Sequence, residues 1–279
     1  MTPEHSIAQL CAALEVTRSG YHAWRKASPS ARQSADRVLT EHLTANHVLH
    51  RQRYGAPRHH RELRQQGIHC SRKRVARLLR QAGLRGLCPR RFVPKTTQSS
   101  HDAPIAPNHL ARRPAPTGLN EVWVCDLTYV RTEEGWMYVA VVMDLCSRRV
   151  VGWACSETLA ASAALGALRM ALKHRAPPKG LMLHSDRGIQ YACTEHRMLL
   201  AAAGLTASMS RPGNPYDNAA MESFMATYKR ECVNIAGPYA TRSDAAADFF
   251  EYAVTYYNRI RLHSSLNYRS PMDFELGMN

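Results

Sequence analysis

Residues 181–191 read LMLHSDRGIQY and residues 213–224 read GNPYDNAAMESF, and these two segments decide the fold. The apolar run Leu181, Met182, Leu183 is the pattern of a strand covered on both faces. Asp186 stands at its polar C-terminal end, where open α/β sheets meet their ligands. Glu222 falls in the first turns of a helix that Asp217 or Asn218 can cap. Upstream, residues 122–130, VWVCDLTYV, place a third carboxylate, Asp126, in another β-rich run. Three acids on three elements meet only by folding, and carboxylates so gathered are what a metal site for phosphate chemistry needs.

Working outward, residues 121–130, 136–145 and 149–154 are strand candidates, and the short EEGWMY connection between the first two predicts a hairpin. An Ala-rich helix follows over 159–174, a strand over 180–185, a helix over 194–203 and a short strand over 205–208. The polar loop SRPGNPYDN then leads into the Glu222 helix, and a long last helix is predicted over 243–259. Three antiparallel strands followed by alternating helix and strand predict a ribonuclease-H-like mixed five-stranded sheet with helices on both faces. In that order the ends of the first and fourth strands lie side by side, which makes Asp126 and Asp186 neighbours.

The first two fifths of the chain have a different character. Net charge is +15 over 279 residues, yet residues 1–118 hold 21 Lys+Arg and 6 Asp+Glu while residues 119–279 hold 16 of each. A basic module joined to a neutral one suggests a polyanion binder attached to an enzyme that processes nucleic acid. Residues 1–86 read as a small helical region. Within 55–86, Pro57 suits a helix start, Gly67 and Gly83 stops, and Ser71 an N-cap. Val75, Leu78, Leu79 and Ala82 form one apolar face, which leaves Lys73, Arg77 and Arg80 on the other, the layout of a helix-turn-helix in contact with DNA. His59 sits where that first helix is expected to carry an aliphatic residue. From 87 to 118 periodicity disappears and six of the fifteen prolines gather among Arg90, Arg91, Lys95, Arg112 and Arg113, which reads as an extended basic linker. The catalytic core is then 119–279, with a C-terminal helical extension.

Several function classes are disfavoured. The eight cysteines are scattered without zinc-ligand spacing and read as reduced thiols. No signal peptide, no apolar run near 18 residues and no phosphate-binding loop of the ATPase type is present, so membrane insertion, export and ATP use are not expected.

The motifs VWVCDLTYV, EGWMYVAVVMDLCSRRVVGW, HSDRGIQY, SRPGNPYDNAAMESF and YNRIRLHSSLNYRSP, in that order, resemble the integrase-type DDE transposases of the insertion-sequence-3 family, more narrowly the product of its downstream frame, OrfB. The resemblance covers nearly the whole chain, including YGAPRHHRELRQQG before the core. Asp186 and Glu222 are separated by 35 residues, a spacing typical of this group and of retroviral integrases. The resemblance implies Asp126, Asp186 and Glu222 as catalytic residues and metal ligands, Asp126 bridging two ions. It also implies strand cleavage with water, then strand transfer by the released 3′-OH. Double-stranded DNA at element ends and target is the implied substrate and the bacterial cytoplasm, at the nucleoid, the implied place. The implied partners are other copies of the chain on DNA and an OrfA-type product of the upstream frame, separate or fused. A nuclease that cuts without joining, or a DNA-binding regulator without catalysis, is the alternative.

The residues support the same chemistry on their own terms. An all-carboxylate oxygen set suits Mg²⁺ or Mn²⁺, two ions roughly 4 Å apart, whereas Zn²⁺ would recruit His or Cys. Lys229, seven residues after Glu222, is about 20° short of two full turns and about 10 Å further along the same helix face, placed to grip a phosphate beside the scissile one. His184 shares a strand face with Asp186 and is either a ligand-orienting or a packed histidine. Asn214, Tyr216 and Asn218 are expected to shape the loop that delivers Glu222, ahead of any DNA contact. Asp144 is expected to be structural. Arg259, Arg261 and His263 form a basic cluster that either contacts DNA or fastens the last helix.

Overall fold

A computed structural model describes residues 5–88, 103–159, 161–212 and 214–278. The chain divides into two compact units, 1–86 and 87–279.

In the first unit, α1 (Ile7–Ala13) and α2 (Arg18–Lys26) precede α3 (Ala31–Leu49), α4 (Ala56–Gln65) and α5 (Arg72–Gln81). Ser6, Thr17, Ser30 and Ser71 cap four of these through their hydroxyls, and Pro57 lies in the first turn of α4. Gly67 and Gly83 turn the chain out of α4 and α5 at φ 78° and 70°. Leu39 and Leu43 of α3 bury against Leu63 of α4 and Val75, Leu78 and Leu79 of α5, so the helix-turn-helix pair closes on a third helix.

The second unit is built on a sheet of β1 (Val122–Thr132), β2 (Gly135–Asp144), β3 (Val150–Ser156), β4 (Met182–Ser185) and β5 (Thr206–Met209), in the order β3-β2-β1-β4-β5. β1, β2 and β3 pair antiparallel, while β1 pairs with β4, and β4 with β5, in parallel. This is the ribonuclease-H-like arrangement. On one face Trp123, Cys125, Ala140, Val142 and Leu183 pack under the small side chains of α6 (Ala161–Arg175), with α7 (Ile189–Ala192) and α8 (Thr194–Ala202) beside it. The other face receives α9 (Ala219–Tyr228) on β1 and α11 (Arg242–Phe250) on β1 and β2, with the short α10 (Asn234–Ala236) between them and α12 (Pro271–Leu276) at the end.

Two expectations need correction. The long last helix is not regular: after α11 the chain passes into a π-helical stretch, Glu251–Tyr257. A second π-helical stretch, Lys229–Val233, follows α9. The supposed linker is only partly one, since Ala103 and Ala106 pack on the sheet core, the His109 N–H donates to Ser208 at 3.0 Å, and Arg113 pairs with Glu121 at 3.1 Å. Arg90, Arg91 and Lys95 lie outside the described residues, as does the side chain of Arg112.

Candidate active site

Parallel pairing of β1 with β4 sets Val124 opposite His184. Two residues further along each chain stand Asp126 and Asp186. Each aspartate is steadied by nearby backbone: Asp126 accepts the Leu127 N–H at 2.7 Å and Asp186 the Gly188 N–H at 2.9 Å. Glu222 enters from the exposed side of the first turn of α9. Desolvation, then the charge of Asp186 and, more weakly, that of Glu222, push the Asp126 carboxyl up to about 7. Partial desolvation also raises Glu222. Asp126 therefore feels both of the other carboxylates, yet among the described residues no group of three or more His, Cys, Asp or Glu stands ready to hold a metal ion. Like charges oppose closer approach until a cation compensates them.

Asn218 fixes the helix that carries Glu222, though not by capping it. It occupies the N-cap position of α9 without a side-chain cap bond, and its amide donates instead to the Cys125 carbonyl at 3.1 Å, one residue before Asp126. Asp217 does not cap either: it takes Arg211 at 2.9 Å and Asn108 at 2.8 Å. Local sequence suggested a cap because Asn and Asp cap so often, whereas the partner of Asn218 lies 93 residues away.

The remaining expectations sort by exposure. Lys229 places its Nζ 4.7 Å from the centroid of the Tyr129 ring; burial lowers its pKa and the charge of Asp126 raises it. His184 is fully buried, bonded to Ser208 at 2.9 Å and Ser210 at 3.0 Å, and burial drives its pKa down to about 4. It ties β4 to β5 rather than facing a substrate. Asp144 is buried and accepts N–H groups from Asn120, Cys146 and Ser147, which makes it structural. Lys73, Arg80 and Arg259 are exposed. Arg77 gives a nitrogen to Asp36 of α3 at 2.7 Å, alongside Arg74 at 2.6 Å. Arg261 is the clear correction: it is 4% exposed and paired with Glu231 at 2.7 Å, so it fastens the last helical segment instead of offering a charge to DNA. The sequence reading passed over Tyr129 and Trp136. Tyr129 stands three residues beyond Asp126, on the strand face opposite to it, and that alternation was the available signal.

A ribonuclease-H-like sheet with one carboxylate within β1, one just beyond β4 and one on the helix after β5 defines the integrase-core class of polynucleotidyl transferases. Integrase core domain models match residues 116–215 and 203–271, and an HTH-like domain model matches residues 33–92. The chain is 42% identical over 265 residues to the insertion element IS600 uncharacterized 31 kDa protein of Shigella sonnei, covering 95% of this chain and 97% of that one. It is 40% identical over 274 residues to transposase InsF for insertion sequence IS3A of Escherichia coli (strain K12), covering 98% of this chain and 94% of that one. The chain belongs to the IS3 family of transposases. Among solved structures, the simian T-cell lymphotropic virus intasome in complex with PP2A regulatory subunit B56 gamma aligns with a TM-score of 0.45 at 16% identity, covering 77% of this chain and 69% of that one. The HTLV-2 integrase catalytic core domain in complex with magnesium aligns with a TM-score of 0.43 at 14% identity, covering 56% of this chain and 95% of that one.

Proposed function

We propose that this chain is the catalytic subunit of an insertion-sequence transposase. It cleaves a DNA strand at an element end with water, and the released 3′-OH then attacks a phosphodiester of the target, forming the joining bond as the target's own 3′-oxygen leaves. The observation that carries this reading is that parallel pairing of β1 with β4 brings Asp126, within β1, near Asp186, just beyond β4, with the Glu222 helix fastened to the residue before Asp126.

The donor set fits divalent cations of the magnesium class. Its ligands are carboxylate oxygens, those of Asp126 and Asp186 each held by a backbone N–H group, and the crowded Asp126 is an acid whose ionised form a cation would stabilise. Asp126, Asp186 and Glu222 would hold two such ions, which when bound supply activation of the attacking oxygen and stabilisation of the leaving oxygen. Lys229, beside Asp126, holds a phosphate next to the scissile one. Lys73 and Arg80 on α5, with Arg259, add phosphate contacts that position the duplex without reading its bases. Synapsis of two element ends calls for more than one copy of the chain on DNA, and an OrfA-type partner, separate or fused, would supply further recognition of the ends. The working place is the cytoplasm, at the nucleoid. Among the described residues no helix is long and apolar enough to cross a membrane.

A strand-joining assay tests the reading: labelled duplex with a free 3′-OH at a candidate end, plasmid target, and Mg²⁺ or Mn²⁺. Metal-dependent joined product is expected, and Asp186→Asn or Glu222→Gln should abolish it while leaving DNA affinity within about twofold, since each removes one metal-ligand charge and no phosphate contact. Cutting without joining would make the protein a nuclease. Tight DNA binding without chemistry, persisting after fusion to the upstream partner, would make it a regulator.

A further inference from the structure

Tyr129 and Trp136 stand side by side in solvent, and the chemistry outlined above does not call on them. They come from neighbouring strands. The β1–β2 register sets Tyr129 opposite Tyr138 and Arg131 opposite Trp136, so all four share one face near the hairpin end. Further down that face Ala140 and Val142 lie buried under α6, but Tyr129 is 53% exposed and Trp136 47% exposed. The rings meet edge to face, with centroids 5.1 Å apart at 83°. Half-wet aromatic rings of this size forgo much of the apolar burial that a cross-strand pair could obtain elsewhere on the sheet.

Their surroundings point to one kind of occupant. Lys229 lies over the Tyr129 ring and also feels the charge of Asp126, so this one side chain links the rings to the carboxylates on the other face of the sheet. Arg131 is exposed opposite Trp136, while Glu134 at the hairpin turn accepts the Arg242 N–H and so has a cationic neighbour. Flat apolar faces bordered by cations suit a nucleic-acid strand: phosphates meet the charges and a base meets a ring. A fully paired duplex hides its base faces by stacking, so the rings can take only a base released from its pair. We propose that Tyr129 and Trp136, bordered by Lys229 and Arg131, form a stacking platform for one unpaired base of the DNA strand entering the carboxylate site. This rests on the reading of that site as acting on DNA.

The test is equilibrium binding of the full chain to two labelled oligonucleotides of one sequence, a blunt duplex and the same duplex with three unpaired nucleotides at one end. Stacking of a base on an aromatic side chain corresponds to about tenfold or more in affinity, so the wild type should prefer the frayed DNA by about tenfold. Trp136→Phe should keep the preference. Tyr129→Ala with Trp136→Ala should lose it while blunt-duplex affinity stays the same, and Tyr129→Leu with Trp136→Leu, which retains apolar packing between the strands, should lose it as well. Equal binding of both DNAs by the wild type, or a preference that survives in the leucine pair, overturns the proposal. The binding readout needs no catalysis. A frayed-end preference in a protein that neither cuts nor joins, even fused to the upstream partner, would therefore overturn the transposase reading and leave the platform standing, whereas strand joining without the preference would do the reverse.

Discussion

His59 is fully buried between His47 and Tyr54, ring centroids 5.7 and 6.0 Å away, and neither of its ring nitrogens has a hydrogen-bond partner. A ring so placed folds as the neutral form: burial, helped by His47 and His50, lowers its pKa to about 4 from an ordinary 6.5. The folded unit then binds fewer protons than the unfolded chain below pH 6.5, so the stability it confers is complete above that pH and is lost as pH falls towards 4. Linkage puts the loss at about 2 kcal/mol between about pH 7.5 and about pH 5. Urea denaturation of residues 1–86 at the two pH values should show it, and His59→Leu should flatten the difference; an undiminished slope in that variant would assign the sensitivity to another group. Sequence marked His59 as out of place among aliphatic positions without saying why, because the two aromatic rings that enclose it come from outside its own helix. Arg261 teaches the opposite lesson. Next to Arg259 and His263 it reads as part of a basic patch, but Glu231, 30 residues earlier, takes both its Nε at 2.8 Å and an Nη at 2.7 Å. Removing one partner leaves a buried charge uncompensated, so Glu231→Gln is expected to cost about 3–5 kcal/mol by thermal unfolding, while Glu231→Leu with Arg261→Met should recover most of it.

The strands and helices were legible because their signals are local: alternation over residues 122–130, hydroxyl caps at Ser30 and Ser71, and Ala-rich spacing over 161–175. What joins one element to another was not. Asn218 looks like a cap and acts as a strut between α9 and β1. Asn218→Ala should leave the Cys125 carbonyl unpaired, at about 1–3 kcal/mol, and should lower the cleavage rate well beyond any change in DNA affinity, since it displaces Glu222 rather than a phosphate contact; equal losses in both would refute that role. The π-helical stretch that begins at Lys229 had no sequence signature at all. Gly152 lets α6 pack tightly on β3, where an added Cβ would press on the Ala167 carbonyl and on Ala171. Gly152→Ala is therefore expected to lower stability by about 1–3 kcal/mol, measured by denaturant midpoint, with α6 pushed off the sheet.

At the scale of the molecule, the β3-β2-β1-β4-β5 order brings together carboxylates 60 residues apart in sequence, and the order of motifs along the chain made that legible before any coordinates did. The mutual crowding of those carboxylates was not legible, since it depends on how deeply Asp126 is set and not on which residue types are present. The two units also follow one another strictly along the chain: residues 1–86 pack as a unit of their own, and the last of the three acids comes only at residue 222. On the function proposed above, translation that halts between them would yield a polypeptide that carries the HTH-like domain and lacks the acids of the cutting site. If that fragment competes for DNA, adding residues 1–86 to a joining reaction should depress its yield in proportion to the fragment supplied, and an unchanged yield would show that it does not compete. An element so arranged would then restrain its own spread through every incomplete copy of its enzyme.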